Sequence, residues 1–184
     1  MTVPLQKPMS TQEFLAWERR QELRYEFDGI QPVAMTGGTV AHSVIATNIV
    51  RALEDRLTGP CRVFRGDLKI IAAGRVRYPD AVVTCAAVPD DADVVPEPLI
   101  VFEVLSASTA LVDRNVKAAE YWETPSIRRY VLLEQTKAEA TVLHREGDMW
   151  SEVRLSGVDA VLALPEIAAD IPLVEFYQRI RLPA

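Results

Sequence analysis

The spacing of apolar residues predicts four helices along the chain. Ser10 and Glu13 have the spacing of a capping box before the first of them. Gly59 and Pro60 end the second, and Ser108 is placed to cap the third. The predicted helices are "TQEFLAWERRQELR" (11–24), "TVAHSVIATNIVRALEDRL" (39–57), "TALVDRNVKAAEYWET" (109–124) and the short "PLVEFYQRI" (172–180).

Between the helices, the apolar pattern changes to a period of two and predicts strands. "YEFDGIQPVAM" (25–35) reads as two short strands around an Asp28-Gly29 turn. "LIVFEVL" (99–105) is almost wholly apolar, which is typical of a central strand covered on both faces. The other predicted strands are "CRVFR" (61–65), "LKIIAA" (68–73), "RYPDAVVTC" (77–85), "RRYVLLE" (128–134), "EATVLHRE" (139–146) and "WSEVRLS" (150–156). This order predicts one α/β (α+β) domain over residues 1–184, built around a mixed sheet.

Composition limits the class of protein. The 184 residues are 49% hydrophobic and 25% charged, which indicates an ordinary globular domain too large to depend on a disulfide between Cys61 and Cys85. We find no secretion signal and no apolar run long enough for a membrane span, and we expect a cytoplasmic protein without membrane contact. The net charge is −6, yet residues 51–77 hold seven Lys or Arg against three acids. That basic segment fits a nucleic-acid partner and equally a solvated hairpin.

Two carboxylates interrupt strands that otherwise suit the interior. Pro79 cannot donate a ladder hydrogen bond, so it marks the start of a strand or an edge and places Asp80 at the strand mouth. Glu103 lies among apolar neighbours, where an unpaired carboxylate would cost several kcal/mol. Two such carboxylates can converge on Mg²⁺, as metal-assisted phosphodiester cleavage requires. The alternative is structural: Asp80 caps a turn and Glu103 pairs with a core arginine.

Five segments occur in an order that resembles a known family: "YEFDGIQPVAM", "AHSVIATNIVRAL", "VRYPDAVV", "PLIVFEVLSAST" and "DRNVKAAEYWETPSIRRYVLLE". They are similar to the putative restriction endonuclease family abundant in cyanobacteria and other bacteria, part of the PD-(D/E)XK nuclease superfamily. The resemblance implies a restriction-endonuclease-like core with a mixed central β-sheet flanked by helices. It also implies that Asp80 and Glu103 bind metal, joined by the Val104 carbonyl and by Glu26.

The resemblance departs from the superfamily pattern at Leu105, where a lysine is usual. The family resemblance implies that Lys117, on the next helix, supplies the positive charge of the missing lysine. Lys69 is a second candidate, because its strand is expected to neighbour the strand of Asp80. Spacing alone allows a simpler interpretation, a surface pair between Lys117 and Asp113. His42 falls near the start of the second helix, where a capping or core role competes with proton transfer.

These residues predict a Mg²⁺-dependent (or Mn²⁺-dependent) DNA endonuclease. Lys69, Arg75 and Arg77 of the basic segment would contact phosphates, and cleavage of two strands would suit a homodimer. A second hypothesis is a catalytically inactive nuclease-fold module that binds nucleic acid or serves as a scaffold. A third is a different metal-dependent hydrolase acting on a small phosphoester.

Overall fold

A six-stranded mixed sheet organises the chain, seen here in a computed structural model that describes residues 8–35, 37–107 and 109–182. Ser108, the predicted cap of the third helix, lies outside these residues. In chain order the first half contains α1 (Thr11–Glu18), β1 (Tyr25–Phe27), β2 (Pro32–Ala34), α2 (Val40–Glu54), β3 (Arg62–Arg65), β4 (Ile70–Ala72), β5 (Arg75–Arg77) and β6 (Ala81–Thr84). No helix in this part of the chain, or in the described remainder, is both long and apolar enough to span a bilayer.

The second half supplies the remaining strands, a helix that packs on each face of the central sheet, and a second small sheet. Its elements are β7 (Ile100–Val104), a π-helix (Val112–Lys117) that continues into α3 (Ala118–Trp122), β8 (Arg129–Leu133), β9 (Glu139–Glu146), β10 (Met149–Ser156), β11 (Val161–Leu164), a 3₁₀ turn (Pro165–Ile167), β12 (Ala169–Pro172) and α4 (Leu173–Phe176). The predicted third helix is therefore wound as a π-helix over its first half. Such windings are rare and often occur at functional sites.

The strands form a central sheet and two smaller ones. The central order is β10-β9-β8-β7-β6-β3, in which only β7 and β8 run parallel. A second sheet has the order β2-β1-β5-β4, and β11 pairs with β12. The mixed central sheet flanked by helices confirms the predicted α+β fold.

β7 is buried on both faces, as its sequence predicted. Ile100, Phe102 and Val104 pack with the apolar side of α2 in one cluster. Val101 and Leu105 pack on the opposite face, with Tyr121 and Tyr130. Because alternate residues of a strand point to opposite faces, Glu103 belongs to the second face together with Val101.

The segment predicted as one strand over residues 77–85 is divided between two sheets. β5 ends at Arg77 in the second sheet, and β6 begins at Ala81 in the central sheet. Pro79 lies at the crossing, where its missing N–H removes no ladder hydrogen bond. Asp80 therefore stands directly before β6, at the strand mouth.

The structure also differs from the prediction in the length of the first helix and in an additional hairpin. The first helix has the predicted capping box but ends at Glu18, six residues early, and Leu23 beyond it is exposed. Residues 19–24 form the turn that leads from α1 into β1, and this turn leaves Leu23 at the surface. The β11–β12 hairpin was not predicted, since each of its strands has only four residues and only two of them are buried in each.

Cys61 and Cys85 form a disulfide, although a chain of this size was not expected to depend on one. Arg62 pairs with Thr84 in the β3–β6 ladder, so the residues just beyond that pair face each other. Their Cα atoms are 3.8 Å apart. The strand register therefore brings together two cysteines that are 24 residues apart in sequence.

Candidate active site

Asp80 and Glu103 stand side by side at one end of the central sheet. Ala81 pairs with Phe102, and the same antiparallel register continued by one residue places Asp80 opposite Glu103. Directly opposed side chains share a face, with Cβ atoms about 5 Å apart. The prediction that these two carboxylates converge thus follows from the register of β6 and β7.

Asp80 is fixed by one contact from β7 and one from α2. Its Oδ2 accepts a hydrogen bond from the Val104 N–H at 2.7 Å and lies 3.1 Å from His42 Nε2. Pro79 is the residue opposite Val104 and has no N–H to donate to the Val104 carbonyl. Because the N–H and C=O of a strand residue point the same way, that carbonyl is directed toward the side where Asp80 lies.

Glu103 is paired with Lys117, which reaches it from the π-helix. Lys117 Nζ lies 2.8 Å from Glu103 Oε1, 3.0 Å from Asp113 Oδ1 and 3.4 Å from Glu26 Oε1. The predicted pair of Asp113 and Lys117 exists, but it is buried, with side chains 2% and 7% exposed. Lys117 is therefore surrounded by three carboxylates inside the protein, which differs from a surface pair.

Glu26, in β1 of the second sheet, is held by Arg77 of β5 and by Tyr78, the residue after it. Arg77 Nη1 donates to Glu26 Oε2 at 3.0 Å, and the Tyr78 N–H donates to Glu26 Oε1 at 3.2 Å. The same guanidinium donates two bonds to Glu120, at 2.6 and 2.7 Å. Arg77 thus orients a carboxylate on each side of it.

The basic residues expected to contact phosphates are occupied in other ways. Lys69 is 5% exposed and pairs with Glu18 at 2.6 Å and Asp93 at 3.3 Å, so it is not the lysine beside Glu103. Arg77 is 3% exposed and neutralised by its two carboxylates. Burial and ion pairing commit the charges of Lys69 and Arg77 to the interior, which argues against the phosphate contacts expected of them.

Arg75, the third residue of that expectation, is partly exposed but also has carboxylates close to it. Its guanidinium donates to the Ala73 carbonyl at 2.7 Å. Glu120 and Glu123 lie 3.9 Å from it. A phosphate would have to compete with both carboxylates for this side chain.

His42 joins the site from the first turn of α2. Its backbone N–H donates to Thr39 Oγ1, so Thr39 is the helix cap and the imidazole is left for Asp80. The hydrogen bond to Asp80 raises the pKa of His42 above its ordinary value, although burial acts in the opposite direction. The carboxylate thus favours the protonated ring relative to a free imidazole.

The site holds more negative than positive charge. Arg77, Lys117 and a protonated His42 face five carboxylates: Glu26, Asp80, Glu103, Asp113 and Glu120. Burial raises the pKa of Glu103 well above its ordinary value; Lys117 opposes this shift, and the carboxylates of Asp80 and Asp113 add to it. A further cation would remove that imbalance.

The donor set suits a hard divalent cation held by few protein ligands. In the described segments, no group of three or more His, Cys, Asp or Glu side chains is gathered so as to hold a metal ion by itself. Mg²⁺ usually takes one or two carboxylates and completes its shell with water and substrate oxygens. Asp80, Glu103 and the Val104 carbonyl supply such a set of oxygens.

Sequence reasoning missed the parts of the site that pair charges across elements. Glu120 follows Asp113 and Lys117 at i+7 and i+3, a spacing that places all three on one helical face. That spacing was the available signal for Glu120. Tyr121, four residues after Lys117, is fully buried, and its hydroxyl has no hydrogen-bond partner among the described residues.

Comparison with known proteins first defines the class. A solved structure from Anabaena variabilis ATCC 29413, described as a putative nuclease belonging to DUF820, superposes with a TM-score of 0.71 at 17% identity. The match covers 92% of this chain and 98% of that one, so the chain has a nuclease-like fold. Residues 11–173 match the family model Uma2, described as putative restriction endonuclease, and the chain belongs to this family.

Two proteins of Synechocystis sp. (strain ATCC 27184 / PCC 6803 / Kazusa) are also similar. The uncharacterized protein slr1290 is 35% identical over 146 residues, which are 76% of each chain. The uncharacterized protein sll1609 is 27% identical over 168 residues, which cover 87% of this chain and 94% of that protein. The similarity extends over most of the chain in both cases.

Proposed function

We propose that this protein is a metal-dependent endonuclease that hydrolyses DNA phosphodiester bonds with Mg²⁺ or Mn²⁺. The observation that carries the proposal is the placement of Asp80 opposite Glu103, with Lys117 against Glu103, in a site with excess negative charge. Membership of a family described as restriction endonucleases supports it. DNA as the substrate is part of the proposal.

In this proposal Asp80, Glu103 and the Val104 carbonyl hold the cation, and Glu26 holds a second ion or a water of the first. When bound, the cation supplies Lewis acidity toward the phosphate and toward an attacking water. His42 and the Val104 N–H hold Asp80 in place at 3.1 and 2.7 Å. Arg77 and the Tyr78 N–H fix the orientation of Glu26.

Lys117 acts as a fixed positive charge in this site. Burial alone would lower the pKa of Lys117, but the carboxylate of Glu103 and its neighbours raise it well above the ordinary value. The ammonium therefore keeps its proton near neutral pH. We assign Lys117 to neutralising charge that develops on the phosphate, in preference to removing a proton from water.

The proposal is tested by nicking of supercoiled plasmid in Mg²⁺ or Mn²⁺. We expect cleavage by the wild type, loss in EDTA, and a decrease of at least about 100-fold in Asp80→Ala and Glu103→Ala. Arg154→Ala, which changes an exposed residue of β10, is the matched control and should cleave normally. An inactive wild type, or carboxylate variants that cleave like the wild type, would refute the proposal.

A nuclease-fold module that binds without cleaving is the second candidate. The observation favouring it is that Asp80 and Glu103 already have partners in Val104, His42 and Lys117. Metal-independent DNA binding without nicking would identify this function. If the protein cleaves both strands of a duplex, one site per chain also suggests a homodimer, which light scattering after size-exclusion chromatography would detect.

A further inference from the structure

A cleft of about 640 Å³ opens beside Asp80 and leads to the carboxylate site. Arg24, just before β1, forms one wall, and the start of α2 forms a second. The turn after β3 forms the third. The residues lining it are Arg24, Gly38, Thr39, His42, Ser43, Ala46, Arg65, Gly66, Asp67 and Asp80.

Gly66 allows the third wall to come close to Asp80. Arg65 pairs with Ala81, so the same register places Gly66 opposite Asp80. A Cβ at Gly66 would lie 3.3 Å from the Pro79 carbonyl oxygen and 3.8 Å from the Asp80 Cα. The row across the three strands is therefore Gly66, Asp80 and Glu103, and the position next to Asp80 carries no side chain.

Two arginines on different walls of the cleft carry charges that the protein does not neutralise. Arg24 and Arg65 are exposed, and neither lies within 4.0 Å of a carboxylate in the described part of the chain. The Arg24 guanidinium lies 6.0 Å over the ring of Tyr78, two residues before Asp80. These side chains contrast with Lys69 and Arg77, whose charges are paired inside the protein.

We propose that this cleft binds the sugar–phosphate backbone of a nucleic-acid strand, and that Arg24 and Arg65 contact phosphates on either side of the one presented to Asp80 and Glu103. Arginines on separate walls suit a ligand with several phosphates, since each can take a different one. That the phosphate at Asp80 and Glu103 is the one cleaved rests on the proposed function. Binding of the strand in the cleft does not require cleavage. Asp67 is the carboxylate on the same wall as Arg65 and repels such a ligand.

The test is binding of a fluorescent oligonucleotide, single-stranded or duplex, measured by anisotropy in EDTA over a series of KCl concentrations. We expect Arg24→Ala and Arg65→Ala each to weaken binding about tenfold, and each to reduce the slope of log K against log salt by about 1. Asp67→Asn should tighten binding. Arg154→Ala is the matched control, because Arg154 is an exposed arginine of β10 that pairs with Glu152 and does not line the cleft, and it should bind like the wild type.

The results separate this inference from the proposed function. If the arginine variants bind with wild-type affinity and slope, or the wild type binds no oligonucleotide at low salt, the inference is overturned even if plasmid is cleaved. If binding depends on Arg24 and Arg65 but the wild type never nicks DNA, the inference stands and the endonuclease proposal fails. Thermal unfolding of each variant, expected to match the wild type, checks that the fold is intact.

Discussion

Replacing Lys117 by methionine tests whether its ammonium holds the carboxylates of the site together. The Lys117 Nζ atom lies 2.8, 3.0 and 3.4 Å from oxygens of Glu103, Asp113 and Glu26. At an effective dielectric constant near 20, each attraction is on the order of 5 to 6 kcal/mol. Desolvation of the buried ammonium and carboxylates offsets most of that sum. Removal of the cation nevertheless leaves the carboxylates uncompensated, and we expect Lys117→Met to lose about 3–5 kcal/mol of unfolding free energy.

Urea unfolding at pH 7 in EDTA measures this loss. Lys137→Met is the matched control, because Lys137 pairs with Glu139 while 55% exposed. We expect its change to be below about 1 kcal/mol. Adding Glu103→Gln to Lys117→Met should restore part of the stability, since the glutamine needs no cation, and the double-mutant cycle should show coupling of at least about 1 kcal/mol.

Two outcomes would refute the reasoning. A Lys117→Met protein as stable as the Lys137→Met control would mean that the buried cation does not hold the site. Strict additivity with Glu103→Gln would mean that Lys117 and Glu103 do not share a stabilising interaction. Neither outcome depends on the protein being a nuclease.

Three further predictions concern two charged residues of the site and the disulfide. Burial raises the pKa of Glu103 in the folded protein above its ordinary 4.5. The folded state therefore binds this proton more tightly than the unfolded state. The resulting contribution to the unfolding free energy is fully present below pH 4.5 and is lost as the pH rises through the folded-state pKa. In EDTA, the unfolding free energy of the wild type should therefore fall with pH relative to Glu103→Gln, by up to about 1.4 kcal/mol per unit, and parallel urea profiles would contradict this. Reduction of the Cys61–Cys85 disulfide should lower the unfolding free energy by about 3 kcal/mol. Urea unfolding with and without reductant measures this loss. If reductant also destabilises the Cys61→Ser/Cys85→Ser variant, the loss has a cause other than the disulfide. Arg77→Met should lose about 3–5 kcal/mol by urea unfolding, and Arg77→Lys should not restore it, because lysine lacks the fork that joins two carboxylates. Full stability in Arg77→Lys would argue against this geometry.

The strand pattern predicted the centre of the fold because burial on both faces leaves a clear signal. The apolar run around Glu103 predicted the central strand, and Pro79 predicted where the neighbouring strand begins. Their register then follows from keeping apolar residues on the correct faces. The placement of Lys117 was implied by resemblance to the family, since spacing on the helix could not distinguish a buried lysine from a surface pair.

Charges that pair across distant elements could not be predicted from local patterns. A positive segment over residues 51–77 suggested phosphate contacts, but net charge does not tell which arginines are neutralised in the fold. Arg77 meets Glu26 because the chain changes sheets at Pro79 and places β5 beside β1. Cys61 likewise meets Cys85 only through the β3–β6 register.

The position of Lys117 gives the proposed site a cation beside Glu103 although residue 105 is leucine. Leu105 is buried on the Glu103 face in the cluster that includes Tyr121 and Tyr130, where an ammonium would have apolar neighbours. Lys117 approaches from the π-helix and reaches Glu103 in the central sheet and Glu26 in the second sheet. One cation thereby joins carboxylates from two sheets. Docking of the π-helix therefore sets the charge balance at Glu103 and adds an ion pair to Glu26, which Arg77 and the Tyr78 N–H also hold.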